Sequence, residues 1–542
     1  MQTYSACLLA GLLALTACDS GGSGDSGDTE TGTDTEATTD PDTSATDPDT
    51  SATDPDTSAT DPDTSATDPD TTATETDGDT DGDTDGDTDG ETDGDGELVV
   101  PDVYEFESRF EEGVSSVSYG GQTFRQTLIS SMKNEMGLIQ DEIVKGTVFT
   151  EGQVAARLSF YVDFDGEVSG GLPHLISTTP ATLQTNWEDI GGGSNLVDKI
   201  AGNDANPQHQ DWSTDMIGWD ESDSPEDLVR DWIDACDALA VAYSSGPVVD
   251  FEGNQINNWF VSTDGLDYQQ LLQKFLLGAV NYSQGTDDYL DDADDNGINS
   301  DNTMSDDGDP YSSLEHQWDE GFGYWGGSRN YLEYTDDEIS TSDGRPEYAS
   351  GYNDFNGDDA IDLKAEINFS ASVNAGKRDR GAAALGVETI NYTEQTMTAF
   401  LTGRAIITHA DGALSDEDFA LLQEQRDIAV DGWERAIAAT AIHYFNDTLR
   451  DMLAAEYSYD DHTKHWGELK GFLLALQFNP RSQVTDEDLA DIHELVGTAP
   501  AFPGDMGSAQ YVADLVEARG MLADAYEFDA ALIGDEQGEN GW

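Results

Sequence analysis

Residues 19–97 carry 28 acidic residues and no basic one, and most of the stretch is repeat. From Asp40 the unit D-P-D-T-S-A-T recurs every seven residues, with starts at Asp40, Asp47, Asp54, Asp61 and, as D-P-D-T-T-A-T, Asp68. From Asp77 the period shortens to four as D-G-D-T. A seven-residue period suggests a coiled coil, but no position of the unit holds the large apolar side chain that such a seam needs. With so little apolar surface to bury, burial cannot offset the entropy of ordering, and a disordered segment is expected. As a flexible coil its 79 residues reach roughly 50 Å, and like-charge repulsion extends them further. The tract reads as an acidic tether, with loose calcium binding by the D-G-D-T run as the lesser reading.

The tether follows a short apolar run, Leu8 to Leu15, which leads into Leu15-Thr16-Ala17-Cys18. So short a run is a signal h-region and cannot span a bilayer as a mature helix. The four residues resemble a bacterial lipobox closing a signal segment over 1–18, which implies cleavage before Cys18, so that Cys18 is lipidated and becomes the mature N-terminus. Met1 to Cys7 depart from that pattern in lacking Lys and Arg. An ordinary cleaved secretory peptide is the alternative. Lipidation predicts a protein anchored to the bacterial envelope, and the long tether favours display from the outer membrane at the cell surface. With Cys7 removed and Cys18 acylated, Cys236 is the single remaining thiol, so neither an internal disulfide nor a multi-cysteine zinc site is expected.

The whole chain has 22 Lys and Arg against 113 Asp and Glu, a formal net charge of −91. After residue 97 there remain 85 acidic residues against 22 basic ones. Such a surface repels nucleic acid and anionic lipid, so no nucleic-acid partner is expected. Screening by salt or divalent cations relieves its self-repulsion.

Residues 98–542 read as a mostly helical globular domain. Pro225 opens a run with acidic residues in its first turn, as helix N-termini prefer. Leu266 to Tyr282 places apolar residues at three- and four-residue steps. Ser415 and Asp418 form the start of a long helix that continues through Trp433 and His443 towards Leu453, with a break expected at Gly432. A further helix through His462 and His465 ends at Asn479-Pro480. Strand-like alternation is confined to short pieces such as residues 156–164. The expected class is mainly α: a helical bundle with long acidic, calcium-binding loops, behind a disordered N-terminal tether.

Two helical stretches bear candidate chemistry. In S-L-E-H-Q-W-D-E-G-F-G-Y-W-G, Ser313 to Gly326, His316, Asp319 and Glu320 fall on one helix face. Gly321, Gly323 and Gly326 fit G-x-G-x-x-G, but no apolar strand precedes them, so a dinucleotide site is dismissed. In H-T-K-H-W-G-E-L-K, His465 and Glu468 lie one turn apart, beside His462. Facing helices of a bundle can converge such residues on a metal, and His316, Asp319, Glu320, His465 and Glu468 form the candidate core site for iron or zinc. A His–Glu pair within the helix and buried, hydrogen-bonded structural histidines are the plainer alternatives. No H-E-x-x-H, G-x-S-x-G or Walker-type motif is present.

Two loops present oxygen ligands at calcium-binding spacing. Asp354, Asn356, Asp358 and Asp362 occupy positions one, three, five and nine of an EF-hand-like loop, and Ile361 occupies position eight. Asp359 stands at the usual glycine and Ala365 at the last ligand, for which Glu366 can substitute. Asp292, Asp294 and Asn296, followed by Gly297, form a second loop without a closing Glu. Two solvated acidic turns are the alternative.

Several motifs carry a family resemblance: S-V-S-Y-G-G-Q-T-F-R, L-L-Q-K-F-L-L-G-A-V, E-H-Q-W-D-E-G-F-G-Y, D-F-N-G-D-D-A-I-D-L-K-A-E-I-N-F, N-A-G-K-R-D and K-H-W-G-E-L-K-G-F. Over about residues 103–500 they resemble the bacterial lipoprotein family called domain of unknown function DUF4856. That resemblance implies no activity. More distantly, His465-Trp466-Gly467-Glu468 resembles the H-x-x-E motif of imelysins, helical lipoproteins once classed as peptidases and now linked to iron acquisition.

The sequence therefore predicts a membrane-anchored surface lipoprotein that binds a metal or small ligand without turning it over, with calcium stiffening its loops. The alternatives are a calcium-stabilised structural or adhesive module, and a metal-dependent hydrolase with a carboxylate base and a metal-bound water.

Overall fold

The computed structural model describes residues 98–542 apart from 192, 220–223 and 294. Cys18, the tether and Asp294 lie outside the described residues. The longer helices are α1 (Gly120–Val144), α2 (Gln153–Val162), α3 (Pro225–Ser245), α4 (Tyr268–Leu276), α5 (Ser313–Trp325), α6 (Ser370–Ala384), α7 (Tyr392–His409), α8 (Asp416–Leu453), α9 (Tyr459–Ala475), α10 (Asp486–Val496) and α11 (Ser508–Ala525). Among the described residues no strand forms; isolated bridges such as Thr182 with Ile361 are the β contacts. No helix of the described residues is long and apolar enough to cross a membrane.

Side chains set the starts of the helices. Ser224 with Asp227, Ser312 with Glu315 and Ser415 with Asp418 each close a capping box, satisfying backbone N–H groups that the first turn leaves open. The central element is α8, whose second half is buried along almost its whole circumference. It packs against α6, α7, α9 and α11. The expected break at Gly432 is absent, and the helix runs through it. The missing side chain there admits Thr396 of α7 against the α8 backbone, so this glycine serves close packing rather than a kink.

Residues 156–164 also depart from expectation, because they fall in and just after α2 instead of forming a strand. Val154, Leu158, Tyr161 and Val162 are the buried residues, at spacings of four, three and one, which is a helical stripe. Nearest-neighbour alternation was the wrong period to follow.

The α4 helix does not end at Leu276. It continues as π-helical turns over Leu277–Tyr282 and Gly285–Tyr289. Such turns are rare and occur often at functional sites. Before them, α4 lies close against α9, where Gly471 leaves room for Lys274: a Cβ at Gly471 would come within 2.5 Å of the Lys274 Cβ. Beyond Leu276 the helix passes between α1 and α5.

Candidate functional site

The two carboxylates that end E-H-Q-W-D-E point in different directions. Asp319 turns into the core, where its Oδ1 accepts from the Tyr104 hydroxyl at 2.8 Å and from Arg404 Nε at 2.9 Å. Its Oδ2 accepts from the Ser118 N–H at 3.0 Å. Burial pushes the Asp319 carboxyl up, and Arg404, Tyr104 and Ser118 pull it back. Glu315, the capping residue of α5, also faces Arg404, with its Oε1 3.0 Å from Nη1. Arg404 gives its remaining donors to Thr408 and Ser116, so this buried ion cluster is well paired.

Glu320 faces the other way. Its Oε1 accepts from Gln122 Nε2 of α1 at 2.7 Å and lies 3.7 Å from His316 Nε2. His316 stacks on Tyr311 with ring centroids 4.5 Å apart, and its Nδ1 lies 3.1 Å from the Ser118 carbonyl oxygen. One turn beyond Glu320, the Tyr324 ring meets Tyr289 of the second π turn at 5.6 Å.

Around these residues α1, the π-helical end of α4, and α5 present polar side chains to one another, where helix packing ordinarily brings apolar ones. Gln122, Asn281, Gln284 and Tyr324 are all buried. Gln122 Oε1, Asn281 Oδ1, both amide atoms of Gln284, and the Tyr324 hydroxyl have no hydrogen-bond partner; Asp288 Oδ2 has none either. Gln284 lies alongside Asp204 without reaching hydrogen-bond geometry. Buried polar atoms are nearly always paired, so a concentration of open ones calls for a partner. One side of the seam is closed by the segment after Val197. Lys199 Nζ lies 2.5 Å from Asp204 Oδ2, 3.6 Å from Asp288 Oδ2 and 5.4 Å from the centre of the Tyr289 ring. Asn206 donates to Asp288 at 2.7 Å. Burial pushes Asp288 up to about 6, while Asp204 is held low because Lys199 and its other hydrogen bonds outweigh burial.

His465 and Glu468 belong to a separate cluster. His465 Nδ1 lies 2.7 Å from Asp451 Oδ2. Burial draws this histidine down, but the hydrogen bond and charge of Asp451, with Glu468 nearby, hold it above its ordinary value. His465 Nε2 lies 3.9 Å from Asp447 Oδ2, which His443 Nε2 approaches to 3.2 Å, while Arg450 takes the other Asp447 oxygen. Glu468 is fully buried; neither oxygen is hydrogen-bonded, and Lys274 Nζ stands 3.4 Å from Oε1. No hydrogen bond or ion pair among the described residues joins His316, Asp319 or Glu320 to His465 or Glu468. Their common neighbour is the α4 helix, which meets Glu468 through Lys274 and comes near Glu320 through Asp288. Among the described residues no group of three or more His, Cys, Asp and Glu side chains is placed to hold a metal ion.

The two acidic loops differ. Asp292 Oδ2 faces Arg426 at 3.3 Å and accepts from Gln423 at 2.7 Å, and Asp291 pairs with Arg481 at 2.7 Å. Arginines thus already stand against the first carboxylates of that loop; Asn296 forms the bend that leads into Gly297. The 354–366 loop instead turns its carboxylates on its own backbone. Asp354 accepts the N–H groups of Gly357, Asp358 and Asp359, Asn356 accepts that of Asp358, and Asp358 accepts that of Ala360. Asp359 takes the left-handed φ of 66° that position six of an EF-hand loop requires. Ile361, at position eight, bridges to Thr182. Glu366 is buried and accepts from the N–H groups of Asp362 and Asn356, and Asp362 accepts from Gln184 Nε2 at 2.8 Å.

These features define a helical protein with a polar seam at a π-distorted helix. The family model described as domain of unknown function (DUF4856) matches residues 223–500, half of the chain, and the chain belongs to that family. No curated protein and no solved structure matches it.

Proposed function

We propose that this protein is a membrane-anchored lipoprotein of the bacterial envelope that binds a small polar ligand in the seam between α1, α4 and α5 without turning it over. The observation that carries the reading is the set of buried, unpaired polar atoms on Gln122, Gln284 and Tyr324, around the Glu320 carboxylate. A buried polar atom without a partner costs about 1–3 kcal/mol, and a ligand that bonds to these atoms removes that cost. The lipobox-like residues before Cys18 and the acidic tether support the anchoring, and display at the outer surface is the arrangement such a tether serves.

Calcium in the 354–366 loop fits the same picture. Asp354, Asn356, Asp358 and Asp362 with Glu366 supply the oxygen ligands, and the left-handed Asp359 supports the EF-hand-like course. A calcium-stabilised structural or adhesive module is the second reading, which this loop alone would favour. The deciding experiment is thermal shift of the full chain with small polar metabolites, at saturating calcium, beside Tyr324→Phe. Stabilisation of the wild type that the variant loses is expected. Calcium stabilisation with no response to any metabolite would favour the structural module.

A further inference from the structure

The open atoms of the seam are mostly acceptors, which narrows the ligand. Gln122 Oε1, Asn281 Oδ1 and Gln284 Oε1 are oxygens without a donor, and Gln284 Nε2 and the Tyr324 hydroxyl are the other open groups. Glu320 adds a carboxylate whose hydrogen bond comes from a neutral amide, Gln122. Of the basic side chains at the seam, Arg125 donates to the Asn195 and Gly121 carbonyls with its charge still felt at Tyr324, and Lys199 is held by Asp204. Lys199 also shows what the seam accepts, since the chain itself places an ammonium between two carboxylates and over the Tyr289 ring. The Glu320 end has the same ingredients, a carboxylate, amide oxygens and the Tyr324 ring, but no ammonium.

We propose that the seam binds the ammonium group of a small organic amine, with Glu320 as its counter-charge and Gln122, Gln284 and Tyr324 as hydrogen-bond partners. The proposal rests on the ligand-binding reading above and adds the chemical class. A primary ammonium carries three N–H donors for a carboxylate and neighbouring amide oxygens, and an ammonium bonded to a carboxylate makes the stronger, charge-assisted kind of hydrogen bond. Entry is open at this end, because the Glu320 side chain is 15 % exposed while Gln122, Gln284 and Tyr324 are buried. The acidic surface raises the local concentration of cations and favours their approach. Asp204 and Asp288 hold Lys199 in place and so form the fixed wall opposite the ligand.

The test uses the full chain at saturating calcium and fixed ionic strength, so that the 354–366 loop and general screening are constant. Calorimetric titration and thermal shift are run with 1,4-diaminobutane, 1,4-butanediol, succinate and magnesium chloride, on the wild type, Glu320→Gln and Tyr324→Phe. Saturable binding of the diamine is expected, weakened about tenfold or more in Glu320→Gln by loss of the charge-assisted bond. Tyr324→Phe, which removes one oxygen and keeps the ring, is the second variant should Glu320→Gln fold poorly, and it should bind the diamine more weakly than the wild type. Equal diamine binding in both variants overturns the proposal. Binding of the diol, the dicarboxylate or magnesium in place of the diamine, lost in Tyr324→Phe, overturns the amine class and leaves the seam a binding site. No response to any probe overturns the amine and counts against the binding reading as well.

Discussion

Asp319 and Glu320 are adjacent on α5, yet they serve two buried polar regions built on different rules. Around Asp319, Arg404 bonds through Nε, Nη1 and Nη2, and both aspartate oxygens are met by donors within 3.0 Å. Around Glu320, four buried residues, Gln122, Asn281, Gln284 and Tyr324, leave polar atoms without partners. A closed network fixes how helices sit on one another, and its cost of desolvation is offset within the fold. An open network leaves that cost standing until something else arrives. Burial and charge alone do not separate the two, because both regions are acidic and both are inside. Pairing separates them.

The sharpest way to break this comparison is Arg404→Met. It strands Asp319 as a buried charge and leaves Glu315 with Arg109 alone, 3.4 Å away, and removal of one partner from such a group costs about 3–5 kcal/mol. Urea unfolding of the full chain measures it. Adding Asp319→Asn to the same chain should recover much of the loss, because the stranded charge is then gone. A single-variant cost under about 1 kcal/mol would mean that the cluster does not hold α5 to α7.

A third acidic region extends the comparison to the surface. The Asp354–Glu366 loop turns its carboxylates on its own backbone N–H groups, which is what a loop preset for a cation does. Calcium at about 100 times its dissociation constant should add about 2.7 kcal/mol of stability. The gain should vanish in Asp354→Asn/Asp358→Asn, read as melting temperature against calcium after chelator treatment. Asp292, held by Arg426, has no such gain to give: Asp292→Asn should leave the calcium response as it is.

What could be read from the sequence follows from how local each signal is. Helix starts at Ser224, Ser312 and Ser415 are written within four residues, and the helical class follows from apolar spacing along α3, α8 and α9. Residues 156–164 misled because alternation over a few residues competes with a stripe that only the longer window through Val154 reveals. Glu320 was legible as a polar residue on a motif-bearing helix. Its partners were not: Gln122 lies 198 positions away and glutamine has no motif of its own. Arg404 was equally hidden, 85 positions from Asp319, although an arginine inside an apolar helix run is a signal that could have been followed. The π turns of α4 left no trace in periodicity, and the two histidine groups were expected to converge because sequence shows faces but not which helix lies between them.

The histidines of α9 offer a smaller test, with opposite signs three residues apart. His465 has a folded pKa above its unfolded value of about 6.5. Its stabilisation is therefore complete below that pH and is lost as pH rises through the folded value. His462 is held down to about 3, chiefly by burial. It is neutral in the fold, so its contribution is complete above about pH 6.5 and is lost as pH falls towards 3. In urea titrations against pH, His465→Asn should flatten the alkaline limb and His462→Asn the acidic limb. A swap of those two effects would reverse the assignment of Asp451 as the partner that charges His465.

The smallest expected effect returns to the two neighbours on α5. Glu320→Gln keeps an oxygen that can accept from Gln122, removes a carboxylate from an acidic interior and breaks no buried ion pair to a lysine or arginine. Its unfolding free energy should lie within about 0.5 kcal/mol of the wild type, or slightly above it. Asp319→Asn removes the charge that faces Arg404, and should cost several times more. Run side by side, the pair is decisive because the substitutions are the same in kind and the positions differ by one residue. Equal losses would mean that Glu320 is as much a part of the fold as Asp319 and that its open neighbours need no ligand. A large loss at Asp319 with none at Glu320 would leave the seam as the place where stability has been traded for binding.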